Sequence, residues 1–361
     1  MPLPPLSYAQ RFEDFHLWRC FDGQRQGFYV DIGGGHPVYD NVSFAFYLAG
    51  WHGVVAEPNP ALAALGRAVR KRDHLHEGLC GAQAGEATLY LQREFHGLST
   101  TVAEHAETAA KEVGRAAEAV TLPVTTLAAL CEAHAPASFE FLKVDVEGAE
   151  ADVLRGADFT RFRPKVIVVE AIKPISLAPA WDEWEPLLSQ HGYSYVWDDE
   201  LNRYYVAEEA RALAARLTEG PKWYADGPQI GNYKPAGADA THPDHRLALL
   251  LAGADIGKPD LGKPDLGKPD TGKLDLGKLP LTDRAVLLDM LTAGMTGLDR
   301  RAGDADHAAI IDRLFGTSPA AQQIAAPQPS ADETVGELYR RMIDSDAFRT
   351  ACGRIAASYA W

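Results

Sequence analysis

Residues 139–150 read FEFLKVDVEGAE, and well upstream of them residues 28–35 read FYVDIGGG. In each, a run of apolar, strand-prone residues breaks off in acidic residues and glycine. Strands buried on both faces of a parallel sheet have this near-continuous apolar character, and an open α/β sheet builds its ligand site beyond their carboxyl ends. The pair predicts a doubly wound sheet with Asp31, Gly33 and Gly35 on one rim of a cleft and Asp145 and Glu147 on the other.

Outward from these stretches, apolar strands alternate with amphipathic helices from residue 27 to residue 217. Strands are expected at 28–32, 53–57, 74–80, 141–146 and 166–171, with helices in SFAFYLAG (43–50) and NPALAALGRAVRKR (59–72). Asn59 suits a helix cap and Pro60 a first turn. After a helix over 184–191, YSYVWDDELNRYYVAEE (193–209) has two aromatic-rich runs around DDELN, which predicts an antiparallel hairpin closing the sheet.

Residues 256–280 repeat a five-residue unit of the GKPDL type. The first four units have one sizeable apolar side chain each and the last has two, and most carry proline, so the repeat offers no packed face and reads as an extended linker. Beyond it, helical spacing returns, for instance in Val335, Leu338, Tyr339 and Met342. The expected organisation is an N-terminal extension (1–26), an α/β domain (27–235), a linker with the repeats (236–280) and a small helical module (281–361). A module of that size is near the lower limit for folding alone, so docking on a protein partner or self-association is expected of it.

Composition narrows the function. Over 361 residues, 46% are hydrophobic and 24% charged, an ordinary globular balance. The formal net charge of −15 argues against nonspecific binding of nucleic acid or anionic membranes, which needs basic surface. The first fifteen residues have neither the basic nor the apolar region of a signal peptide, and no window has the roughly 18 apolar residues of a membrane span, so a cytoplasmic location is expected. Cys20, Cys80, Cys131 and Cys352 are too scattered for a zinc or disulfide framework and read as free thiols.

The glycine turn DIGGGHP lacks the third glycine of the GxGxxG dinucleotide fingerprint, and His36, Pro37 and Val38 would line a pyrophosphate cradle poorly. Glu57, at the end of the second strand, stands where an acidic residue meets ribose hydroxyls. S-adenosylmethionine has a ribose, no phosphate and two cationic centres. An acidic rim around a short glycine turn suits it better than an anionic dinucleotide. An NAD-dependent dehydrogenase is the weaker alternative.

FYVDIGG, VVAEPNP, GLST, LKVDVEGAEADVLRG and VIVVEA together resemble the FkbM family of S-adenosylmethionine-dependent O-methyltransferases, over residues 27 to 210. YLAGWHGVVAEPNP and LNRYYVAEEA are similar to its branch associated with polysaccharide and lipopolysaccharide loci. The resemblance implies a Rossmann-like class I methyltransferase sheet with its terminal hairpin, followed here by the helical module. It implies methyl transfer to a hydroxyl, often on a sugar, and it assigns the cofactor to Asp31, Gly33, Gly35 and Glu57. Gly34 and Gly35 replace the Ala and Asn of the usual DxGAN, and Gly81 stands where related enzymes often place a polar adenine contact, leaving a backbone contact there.

An alcohol is a weak nucleophile at neutral pH and needs a base or a metal ion. By strand periodicity Lys143, Asp145 and Glu147 share a face, which makes Asp145 the first candidate to contact the cofactor or the acceptor hydroxyl and Glu147 the second. With Glu170, which ends the next strand, they could converge as oxygen ligands for Mg2+. His36 in the first loop, and His96 and His105 around GLST, are further candidate bases, with a hydrogen-bonded loop role as the plain alternative. Ser99 and Thr100 read equally as a helix cap or an acceptor contact, and Trp181 and Trp184 chiefly as core. The function expected is O-methylation of a sugar or glycan hydroxyl. The alternatives are a small-molecule, polyketide-type O-methyltransferase or a non-catalytic methyltransferase-like scaffold in glycan assembly.

Overall fold

The computed structural model describes residues 6–92, 96–173, 176–218, 229–251, 288, 291–292, 295–315, 328–330 and 332–358. The chain divides into two compact units, residues 1–67 with 71–227, and 68–70 with 228–361.

The first unit opens with helix α1 (Glu13–Cys20), strand β1 (Phe28–Ile32), α2 (Phe44–Leu48), β2 (His52–Ala56), α3 (Pro60–Val69) and β3 (His74–His76). It continues through β4 (Leu79–Cys80), β5 (Gly85–Leu91), α4 (Ala103–Val113), β6 (Glu118–Thr125), α5 (Leu127–His134), β7 (Ser138–Val144) and α6 (Glu150–Arg155). It closes with β8 (Arg163–Glu170), α7 (Glu185–Ser189), β9 (Tyr193–Asp198), β10 (Asn202–Ala207) and α8 (Leu213–Thr218). Seven strands form the main sheet in the order β3-β2-β1-β7-β8-β10-β9. Five run parallel, and β10 pairs antiparallel with both β8 and β9, so the expected hairpin closes the sheet. Val30, Val54, Leu142, Ile167 and Val169 are buried between the strands and their covering helices. At about 1.5–3 kcal/mol for each fully buried aliphatic side chain, this core dominates the stability of the unit.

Two expectations are corrected here. Residues 74–80 are not one strand. His74–His76 pairs parallel with β2, whereas Leu79–Cys80 pairs with β6 in a separate three-stranded sheet of order β4-β6-β5. The break is at Gly78, where a Cβ would lie 2.8 Å from His76 Nε2 and 3.1 Å from Pro123 O. The small sheet escapes sequence reading because β5 and β6 are only partly buried and β6 contains Pro123. Secondly, residues 6–26 are no loose extension. α1 is buried and packs on α2 and α8 within the first unit.

In the second unit, α9 (His245–Leu251), α10 (Asp304–Phe315), α11 (Val335–Ile343) and α12 (Asp346–Ala357) share one apolar core. Val335, Leu338, Tyr339 and Met342 face inward as their spacing predicts. Because α9 contributes Leu247, Leu250 and Leu251 to that core, the folded C-terminal unit begins upstream of the repeat, inside the stretch expected to be linker. The repeat itself lies outside the described residues. Four free cysteines are present, three buried and Cys80 partly so. Among the described residues no helix is long and apolar enough to cross a membrane.

The interior of the second unit holds a charged pair. Arg354 Nε and one terminal nitrogen each donate to Asp244 at 2.6 Å, with both side chains 0% exposed. Removing one partner strands the other charge, which costs about 3–5 kcal/mol, comparable to the whole stability of a small domain. Arg354→Met is therefore expected to make the C-terminal helices cleavable in limited proteolysis while residues 6–218 stay resistant. The Arg354→Met, Asp244→Leu double variant, which buries no charge, is expected to restore most of that protection.

Candidate functional site

The chain leaves β1 to one side, for β2 and β3, and later returns on the other side in β7. That reversal is the topological switch point at which open α/β sheets bind ligands. In register, Asp31 lies opposite Lys143 and Ile32 opposite Val144, so both acidic motifs leave the sheet side by side. Asp145 N donates to Ile32 O at 2.9 Å, extending the pairing one residue past the strands. Gly33 follows with φ +82°, and a Cβ there would stand 1.6 Å from the Asp145 carbonyl oxygen, so only glycine fits. The Gly33 and Gly34 amides both donate to Ala56 O, at 2.9 and 3.0 Å. Gly35, at φ +56°, has no heavy atom within 4 Å of where its Cβ would be, which leaves its backbone open to a ligand.

The side chains of the first motif brace this turn. Asp31 is 2% exposed and accepts a 2.5 Å hydrogen bond from Ser43 Oγ, which lies 3.1 Å from Asn41 Oδ1. Asn41 Nδ2 in turn donates to Gly34 O at 2.8 Å. Glu57, just past β2, accepts from Gly35 N and from Asn59 N, each at 2.7 Å. Burial pushes its carboxyl up to about 7 against those two bonds, with Asp31 adding repulsion. His36 is buried, and its Nδ1 accepts from Val38 N at 3.2 Å and Tyr39 N at 3.0 Å. Those amides occupy the lone pair of Nδ1 and fix the proton on Nε2. His36 thus holds the loop, and this arrangement gives it no free lone pair for a catalytic proton. The amide of Gly81 is likewise committed, donating to Thr125 O at 2.9 Å.

Beyond β7 the acids converge by a route different from strand periodicity. The strand ends at Val144, and Glu147 sits in a loop at φ +55°, rare for a residue with a side chain. Glu150 Oε1 accepts from Val146 N and Gly148 N, while Thr100 Oγ1 donates to Glu147 O at 2.7 Å. His105 Nδ1 is 3.4 Å from the same carbonyl. Thr100 therefore clamps the acidic loop, whereas Ser99 Oγ accepts from Gln92 N. Because Val144 pairs with Val169, the next residues along, Asp145 and Glu170, emerge as neighbours. One carboxylate oxygen from each of Asp145, Glu147 and Glu170 lies within 4.8 Å of the others. Burial, then the charge of Asp145, raises the carboxyls of Glu147 and Glu170 well above the usual range. Trp184 is core, and half-buried Trp181 packs against that core with the Arg203 guanidinium 4.4 Å from its ring centroid.

Sequence reading took Lys143 as a structural ion-pair partner of its acidic neighbours, and missed Asn202 and Glu13 beneath it. Lys143 is 3% exposed and donates to Asp145 Oδ2 at 3.0 Å and to Asn202 Oδ1 at 2.7 Å. Burial opposes its charge, but Asp145, Glu13 and Glu170 outweigh that and raise its pKa. Asn202 Nδ2 donates to Glu13 Oε1 at 2.9 Å, so a buried polar chain runs from the cleft to the first helix. Asn202 lies opposite Glu170 in the β8–β10 register, a pairing invisible without the sheet order. Asp40, also unforeseen, is exposed in the loop after β1. Desolvation and the charge of Asp145 push its carboxyl up to about 6.

With this geometry in place, comparison with known families supports one domain type. The family model of the methyltransferase FkbM domain matches residues 31–195. Neither a curated protein nor a solved structure matches the chain. The matched span of the FkbM domain starts at Asp31 and takes in Glu57, Asp145, Glu147 and Glu170, while Glu13 and Asn202 lie outside it. The match supports a methyltransferase, for which S-adenosylmethionine is the usual cofactor.

The buried acids give the first unit a pH signature. Burial and the charge of Asp199 push the Glu13 carboxyl up to about 8 from 4.5, so the folded state holds a proton that the unfolded chain releases. Its contribution is complete below the unfolded value and is lost as pH rises toward 8. Urea denaturation is therefore expected to show the first unit losing a few kcal/mol between about pH 5 and 8. Glu13→Gln is expected to flatten that slope even if it lowers stability at every pH.

Proposed function

We propose that the protein is an S-adenosylmethionine-dependent O-methyltransferase acting on a hydroxyl of a sugar or glycan. The observation that carries this reading is the chemistry of the switch-point cleft. An approachable glycine backbone at Gly35 is bonded to Glu57, the strand before it carries Asp31, the neighbouring strand leads into Asp145 and Glu147, and Lys143 is already engaged by Asp145. A pyrophosphate would meet carboxylates there, whereas a ribose would find acceptors for its hydroxyls and a sulfonium or ammonium would find counter-charges. The residues present fit the cofactor in this respect.

In the proposed arrangement Glu57 takes the ribose hydroxyls, its amide bonds from Gly35 and Asn59 holding the carboxylate in place. Gly33 and Gly35 admit the ligand against the backbone, and Asp31, braced by Ser43, supplies charge beneath the turn. Gly81, its amide taken by Thr125, contributes a surface rather than a donor. Bound S-adenosylmethionine supplies an electrophilic methyl group. The chain's own task is to hold an acceptor oxygen in line and to remove its proton. Asp145, oriented by Lys143, and Glu147, held by the Thr100 clamp, are the groups placed for that task. Burial, then the charge of Asp145, raises the carboxyl of Glu147, which suits it to accept a proton. The similarity of residues 47–60 and 201–210 to the polysaccharide-associated branch supports a sugar acceptor. A cytoplasmic location and docking of the C-terminal helices on a partner or a second copy belong to the same proposal.

Calorimetric titration with S-adenosylmethionine and S-adenosylhomocysteine tests the cofactor half. Wild type is expected to bind both, and Asp31→Ala and Glu57→Ala to lose about 10–100-fold in affinity, the weight of one or two charged hydrogen bonds. Gly33→Ala, which drives a Cβ into the Asp145 carbonyl, is expected to abolish binding. No binding by folded wild type sinks the reading and favours a non-catalytic scaffold. In a methyl-transfer assay over sugar and small phenolic or polyketide acceptors, Asp145→Asn is expected to lower kcat by about 10²–10⁴ with cofactor affinity largely kept. Turnover confined to the non-sugar acceptors would move the assignment to small-molecule methylation.

A further inference from the structure

We propose that Asp145, Glu147 and Glu170 bind a hard divalent cation of the Mg2+ or Mn2+ class, against which an acceptor with two neighbouring oxygens is held. This deepens the methyl-transfer reading and rests on it for the identity of the acceptor.

Three independent features point to a cation. The first is geometric. The β7–β8 register brings Asp145 and Glu170 out of the sheet as neighbours, and the left-handed turn at Glu147 folds a third carboxylate onto them, with one oxygen of each within 4.8 Å of the others. Oxygens around an ion at about 2.1 Å stand roughly 3–4.2 Å apart, and around a larger ion at about 2.4 Å roughly 3.4–4.8 Å. The three oxygens, all within 4.8 Å of one another, are no farther apart than the larger ion allows.

The second is an orphaned acceptor. Glu170 is only 8% exposed, and its Oε2 has no hydrogen-bond partner among the described residues. A buried carboxylate oxygen without a donor is costly, and other buried acids of this unit are satisfied: Glu57 by two amides, Glu150 by two amides, Glu13 by Arg11 N and Asn202. The orphaned group belongs to the trio.

The third is charge. Lys143 offsets one of the three carboxylates through its contact with Asp145 Oδ2, and its other contact is neutral Asn202. Two negative charges are left, the deficit that one divalent ion fills. Three protein oxygens are few for a six-coordinate ion, so positions are left for water and for two acceptor oxygens. The acceptor class that uses them is a vicinal diol, as on a sugar ring, or a hydroxyl beside a carboxylate. A hard cation there also lowers the pKa of the hydroxyl it holds.

The same carboxylates could instead face the cofactor's ammonium group, and the experiment separates the two. Mn2+ is titrated into the full-length protein by electron paramagnetic resonance, with and without saturating S-adenosylhomocysteine, whose own affinity is measured by calorimetry. The proposal expects one equivalent of Mn2+, retained when S-adenosylhomocysteine is bound. It expects Mn2+ binding to weaken about 10–100-fold in Glu170→Gln and in Glu147→Gln, the loss typical of a removed metal-site group. Both variants are close to isosteric and are checked for an unchanged circular dichroism spectrum and urea-denaturation midpoint, so that a folding defect in one leaves the other to decide. Absence of stoichiometric Mn2+ binding in a protein that binds S-adenosylhomocysteine overturns the cation site and leaves the methyltransferase reading standing. Displacement of Mn2+ by S-adenosylhomocysteine also overturns it and gives the carboxylates to the cofactor. Mn2+ binding without S-adenosylhomocysteine binding supports the cation site and removes the methyltransferase reading.

Discussion

The contact on which the site depends is the close passage of two backbones at the carboxyl ends of β1 and β7. Asp145 N bonds to Ile32 O at 2.9 Å, and the Asp145 carbonyl then occupies the space that a side chain at Gly33 would need. Everything functional hangs from this point. The glycine turn must go left-handed to leave the strand, so Gly35 is presented with its backbone open. On the other side the chain leaves β7 early enough for Asp145 and Glu147 to stand over the sheet edge.

The second constraint is electrostatic. The first unit buries many carboxylates and one central lysine, so each acid needs a donor, a proton or a cation. The fold answers differently at different places. Backbone amides satisfy Glu57 and Glu150, Ser43 satisfies Asp31, and Lys143 joins Asp145 to Asn202 and so to Glu13. That last chain gives the N-terminal helix a role at the site. It orders the hairpin residue that positions the lysine beneath Asp145, and it explains why α1 is packed into the first unit although the family match begins at Asp31.

Much of the fold was legible because its strands are buried on both faces, which leaves apolar runs bounded by glycine and acids, and because aromatic runs around DDELN mark a hairpin. The small β4-β6-β5 sheet was not legible, since half-exposed strands with a proline carry a weak signal. In the site, Asp31, Gly33, Gly35, Glu57, Asp145, Glu147 and Glu170 were all nameable from their place at or just past the carboxyl ends of strands. The reasoning for Glu147 was wrong in its geometry: the strand stops at Val144, and a left-handed turn, not periodicity, brings it to Asp145. His36 was nameable as a residue of the loop, but the amides that occupy its Nδ1 could be found only from coordinates.

The sequence alone determined the class of fold, the two acidic motifs, the glycine turn between strand and helix, and the resemblance to FkbM methyltransferases. These are local properties, set by the order of apolar, acidic and glycine residues along a few turns of chain. Only the tertiary structure decided which of those residues meet, because strand order and register join Asp31 to Lys143, Val144 to Val169 and Glu170 to Asn202 across separations that no local pattern encodes. It also decided the state of each acid, since a carboxylate's charge depends on the donors and neighbours that surround it in space.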